Sequence, residues 1–170
     1  MTGWGVGGPA RGLLTRAELL ELGGVRVEKP VTELSLQTKG AFTDPYVAGN
    51  VGAGVLKRFN LIFDYARQQL VFEPNANHHL ADSYDRAGMW MNLSGGAFEL
   101  LDVTPGGPAA EAGLQAGDRI LAIDGETPER LSLPAARLHL RTAPPGTKVQ
   151  LRVRSGAVER HLTIVLRDLV

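Results

Sequence analysis

The sequence predicts a mainly β protein of two units, and three observations carry that prediction. Short runs of Val, Ile, Leu and Phe recur between glycine, aspartate and asparagine turns, as in Ile120-Leu121-Ala122-Ile123 between Gly117-Asp118 and Asp124-Gly125. Strict alternation appears where Val149, Leu151 and Val153 are separated by Gln150 and Arg152, the period of a half-buried strand. The polar run from Asn75 to Asp85 has no sustained periodicity, which divides residues 1–76 from residues 86–170 and leaves 77–85 as a linker.

In the first unit, Thr15-Arg16-Ala17-Glu18 fits a helix capping box. Gly23-Gly24 between Leu20-Glu21-Leu22 and Val25-Arg26-Val27 fits a hairpin turn, and strands are the favoured reading. A further strand is expected over residues 31–36 and a short helix over 51–59. Leu61-Ile62-Phe63 and Leu70-Val71-Phe72 form a hairpin with Ala66-Arg67-Gln68-Gln69 as its turn.

In the second unit, Met89-Trp90-Met91-Asn92-Leu93 reads as a strand, with Ser94-Gly95-Gly96 as the loop to the next strand, residues 98–103. Gly106-Gly107-Pro108 turns into a short helix that stops at Gly113. After the strand at 120–123, Ser132 caps a helix over 133–140 that has Pro134 in its first turn and Pro144-Pro145-Gly146 as its stop. Ser155-Gly156 then joins the alternating strand to a last one over 158–166, so this unit is a β-sandwich or barrel with two helices.

The chain of 170 residues is 44% apolar, enough for one good core or two small ones. Eighteen basic and eighteen acidic residues cancel, which removes the electrostatic attraction that dominates binding to nucleic acid or an anionic membrane. Without cysteine there is no disulfide, thiolate nucleophile or Cys-ligated zinc. No stretch approaches the ~20 apolar residues of a membrane span, and the N-terminus lacks the basic and apolar regions of a signal peptide. The expectation is a soluble chain of open localisation, truncated at the glycine-rich start Met1-Thr2-Gly3-Trp4-Gly5 and periplasmic if an export signal lies upstream.

Residues 97–125 and the elements around them resemble a PDZ domain. The resemblance aligns Gly88-Met89-Trp90-Met91 with the loop whose backbone N–H groups hold a peptide carboxylate, and the strand that follows with the one that pairs with peptide. It implies a peptide-binding groove made by Gly88, Met89, Trp90, Met91, Asn92 and Leu93, facing Ala136, Arg137 and Leu140 on the helix. Trp90 stands where a second glycine is usual, which shifts the expectation from free C-termini towards internal or unfolded segments. The plainer alternative makes the methionines core residues alone.

Residues 49–65, from Gly49-Asn50-Val51-Gly52 through Leu61-Ile62-Phe63-Asp64-Tyr65, are similar to the closing part of retropepsin-like aspartic protease domains. Gly3, Trp4, Gly5, Val6, Gly7 and Gly8 resemble that family's glycine-rich flap. The resemblance implies an incomplete retropepsin-like β-barrel half over residues 1–76, an aspartic endopeptidase when complete, and self-association as a homodimer through this part. Such enzymes need an Asp-Thr-Gly or Asp-Ser-Gly loop, in which two carboxylates share a proton and activate water. Neither tripeptide occurs, since Asp44 precedes Pro45, Asp64 precedes Tyr65, Asp82 precedes Ser83 and Asp124 precedes Gly125. No catalytic residue is assigned in this chain, and a complete, non-catalytic β-domain remains the alternative.

Other motifs lead to blander readings. Gly3, Gly5 and Gly8 satisfy Gly-x-Gly-x-x-Gly but lack the preceding strand and following helix of a dinucleotide site, so no cofactor is expected. His78-His79 near Asp82 lacks a third ligand, and no metal is expected. His139 and His161 read as surface or packing positions, and Ser94, Ser132 and Ser155 as turn or cap residues. The expected function is peptide or polypeptide-segment binding, with no nucleic acid or membrane partner. A non-catalytic peptide-binding adaptor competes with the truncated protease.

Overall fold

The computed structural model describes residues 3–5, 8–40 and 43–170, and their contacts form two compact units that divide between Asp82 and Ser83. The protein is mainly β. In the first unit, β1 (Gly3–Gly5) pairs with β2 (Gly8–Ala10), placing Gly3, Trp4, Gly5 and Gly8 of the expected flap in a hairpin. Val6 and Gly7 lie outside the described residues.

Strand β3 (Gly12–Arg16) pairs with β6 (Val31–Ser35), and β4 (Leu19–Leu22) with β5 (Val25–Glu28). Gly23 and Gly24 both take positive φ, +53° and +87°, as a two-residue hairpin turn requires, and the capping-box reading gives way to strand. Helix α1 (Ala53–Leu56) is shorter than the expected 51–59, because Phe59 opens β7 (Phe59–Asp64). Strand β8 (Gln69–Pro74) pairs with β7 in a register that matches Asp64 with Gln69 and starts the turn one residue before the expected Ala66. Asp64 sets that turn by accepting the Arg67 N–H at 2.9 Å.

Among the described residues, the core of this unit is small: Val27, Val55 and Phe59, flanked by Leu20, Val25, Leu61 and Phe72. The polar residues that follow β8 are tied to it. Asn75 donates its N–H to the Arg58 carbonyl and its amide to the Lys57 carbonyl, and the Asp82 carboxylate accepts the Val31 N–H at 3.0 Å.

The second unit is a five-stranded antiparallel sheet in the order β13-β12-β11-β10-β9. Its strands are β9 (Met89–Ser94), β10 (Ala97–Val103), β11 (Arg119–Ile123), β12 (Lys148–Ser155) and β13 (Val158–Val165). Helix α2 (Pro108–Glu111) begins on proline, and α3 (Leu133–Thr142) begins at Ser132, whose hydroxyl accepts the Ala135 N–H. The turn before β11 closes through Asp118, whose carboxylate accepts the Gln115 N–H. Apolar side chains from all five strands and both helices make one core, with Phe98, Ile120, Ala136, Val149 and Val153 fully buried. That burial is what this unit has and the first largely lacks, and at ~25 cal/mol per Å² of apolar surface removed from water it is the main source of stability.

Candidate functional site

Strand β9 ends the sheet, so among the described residues one of its edges has no strand partner. Between that edge and α3 lies a pocket of ≈370 Å³, and Met89, Trp90, Met91, Pro134, Arg137 and Leu138 are among its lining residues. The strand reaches this place through its pairing with β10, where Met91 faces Leu100 and Trp90 faces Asp102 across a bulge. Met89 and Met91 are buried in the core while also forming the pocket floor. Leu93 is 55% exposed beyond the pocket, and Ala136 and Leu140 are core residues that seat α3.

The loop before β9 is held from several sides. Arg86 bonds α3 with its main chain and side chain, giving its N–H to the Leu140 carbonyl and its guanidinium to the Arg141 and Ala143 carbonyls at 2.9 and 3.0 Å. These carbonyls at the helix C-terminus have no intrahelical donor, so the cation also meets the negative end of the helix dipole. In turn the Arg86, Ala87 and Gly88 carbonyls accept the N–H groups of Arg167, Ala109 and Thr104. Gly88 is required here: its φ is +73°, and a Cβ would meet the Gly107 Cα at 3.2 Å.

Two charged side chains occupy the polar groups that line this groove. Asp85 accepts the N–H groups of Gly88 at 2.6 Å and Met89 at 3.1 Å through one carboxylate oxygen. Burial lifts its carboxyl above the ordinary aspartate value, against the N–H bonds from Met89, Gly88 and Ala87 that hold it down. Arg137 reaches from α3 to the edge of β9, where it donates to the Met91 carbonyl and, at 2.8 Å, to the Asn92 side-chain oxygen. Its guanidinium lies 4.6 Å from the Trp90 ring centroid, a cation–π contact that burial of its stem supports.

The residues named for the groove from sequence therefore divide between floor, edge and supporting core. Tyr84, Asp85, Asp102 and Thr104 also line the pocket, and they were not singled out. For Asp85 a signal existed, since an aspartate three residues before a glycine can accept the amides of the turn it starts. His139, expected as a surface or packing residue, lies 3.2 Å from the Asp124 carboxylate. His78 packs edge-on against Phe59 at 5.2 Å between centroids.

Residues 100–155 match the PDZ domain family, and this part of the chain is a PDZ domain. The chain is 39% identical over 93 residues to a probable periplasmic serine endoprotease DegP-like of Halomonas elongata, covering 54% of this chain and 18% of that protein. It is 42% identical over 74 residues to the carboxyl-terminal-processing protease of Synechocystis, covering 42% and 17%. It thus spans less than a fifth of either relative. Among solved structures, the PDZ domain of the carboxy-terminal protease from Vibrio cholerae in complex with peptide is 26% identical, with a TM-score of 0.39, covering 49% of this chain and 93% of that one. Both curated relatives are named as proteases, one of them a serine endoprotease and neither an aspartic protease, so the resemblance of residues 1–76 to retropepsins has no support among them.

Proposed function

We propose that residues 83–169 bind an extended polypeptide segment as an added strand on β9, with α3 as the opposite wall. The observation that carries this reading is the edge of β9 without a strand partner among the described residues, which faces a pocket of ≈370 Å³, with the Met91 carbonyl turned into the groove, where Arg137 meets it. Backbone hydrogen bonds along residues 89–93 supply affinity, and the apolar surfaces of Trp90, Pro134 and Leu138 receive one side chain of the ligand. Arrayed random decapeptides followed by amide chemical-shift mapping test the reading. Shifts confined to the β12–β13 hairpin, with residues 88–93 and 136–140 unchanged, would refute it.

For residues 1–76 a second reading has its own observation. Strands β7 and β8 expose apolar side chains on both faces, with the cross-strand pairs Ile62–Val71 and Phe63–Leu70 each between 42% and 58% exposed. Among the described residues, nothing in the unit covers this hairpin. Together with the order of glycine hairpin, short helix and a hairpin whose first strand runs into Asp64-Tyr65, this favours the C-terminal part of a retropepsin-like domain that completes itself with further polypeptide, from the same chain or a second copy. An upstream reading frame encoding Asp-Thr-Gly or Asp-Ser-Gly, and pepstatin-sensitive cleavage by the extended protein, test it. Their absence would leave the peptide-binding adaptor.

A further inference from the structure

We infer that this groove takes internal segments of a polypeptide rather than free C-termini, and that Asp85 decides the choice by filling the amide nest at the end of β9. The inference rests on the peptide-binding reading above and names its ligand class. Consecutive N–H groups at Gly88 and Met89 converge where the positive φ of Gly88 turns the chain, the arrangement that binds an anion. Here the anion is already part of the protein. Asp85 is three residues away, so its effective concentration at the nest is far higher than that of any peptide in solution.

A ligand carboxylate entering the nest has to expel this side chain. Expulsion strips Asp85 of its donors while leaving it partly buried, and it sets two carboxylates side by side. Asp102, on the same pocket wall, adds another acidic group to this region. The cations nearby do not reverse the sign. Arg137 yields the Met91 carbonyl to an incoming strand but still has Asn92 and Trp90 as partners, and Arg141 is an exposed residue whose pairing water and salt weaken. An internal segment brings no terminal charge, so it can pair with β9 and run past the nest while Asp85 stays in place.

The test uses the whole chain and random decapeptides, each made with a free carboxylate, with a C-terminal amide, and embedded between Gly-Ser flanks. The strongest binders are titrated by fluorescence polarisation. In the wild type the three forms should agree within about threefold, and in Asp85→Ala the free acid should gain about tenfold or more over the amide. A wild-type preference of about tenfold or more for the free acid would overturn the inference, and so would a folded Asp85→Ala with no such gain. The wild-type comparison decides the matter even if that variant does not fold. If no form perturbs the amides of residues 88–93, the groove reading itself fails, an outcome distinct from binding there with the opposite preference.

Discussion

Arg137 covers the carbonyl that an incoming strand needs, and removing it should tighten peptide binding. In the free protein its guanidinium donates to the Met91 carbonyl and to Asn92 and stacks on Trp90. A hydrogen bond from a charged donor contributes roughly 1.5–3 kcal/mol when dry, and the half-exposed position of Arg137 argues for the lower end or below it. With the cation–π contact partly kept on binding, the latch is worth about 1.4 kcal/mol, so the edge is open in roughly one molecule in ten. Apparent affinity falls by that fraction. Arg137→Met keeps an apolar stem over Trp90 but cannot donate, and it should lower the dissociation constant of a bound decapeptide by roughly tenfold in fluorescence polarisation. Equal or weaker binding by a variant whose thermal melt is unchanged would refute the latch and make Arg137 a direct ligand contact.

Three further outcomes follow from the packing and the charges. Leu140→Ala, at a side chain only 1% exposed, should cost the second unit about 2–5 kcal/mol in urea unfolding, and a loss well below 1 kcal/mol would contradict the core described. Gly88→Ala should cost about 1–3 kcal/mol through its positive φ and its contact with Gly107, and should speed amide exchange at residues 86–89; unchanged protection would argue that the loop is not strained. Because burial raises the Asp85 carboxyl in the fold, its stabilising share is complete below the unfolded value of 3.8 and is lost as pH rises through the folded value. The wild type should therefore lose stability relative to Asp85→Asn over that window and no further above it, and a gap independent of pH would show that Asp85 is not desolvated.

Local chemistry made much of the fold legible. Gly23-Gly24, Gly117-Asp118 and Ser132 each act on neighbours within a few residues, so their turns and cap could be read before any packing was known. Alternation along residues 149–153 likewise declared which face of β12 is buried. The short helix was the weaker reading, since Gly52 and Gly54 give it little propensity and only the pairing of Phe59 with Pro74 decides that β7 begins there.

The mainly β class, the PDZ order of elements and the strand and helix that flank the groove are written in the chain itself, because periodicity and turn residues are properties of sequence neighbours. Tertiary structure alone decided what the groove contains. Arg137 meets Met91 across 46 residues, and Arg86 ties the loop to helix carbonyls 55 and 57 residues away. Even Asp85, close in sequence to its amides, has its carboxyl raised by burial, in a pocket it lines together with residues of β9 and α3. Hydrogen bonds and burial between distant segments depend on where the chain brings them together, and local pattern does not record that.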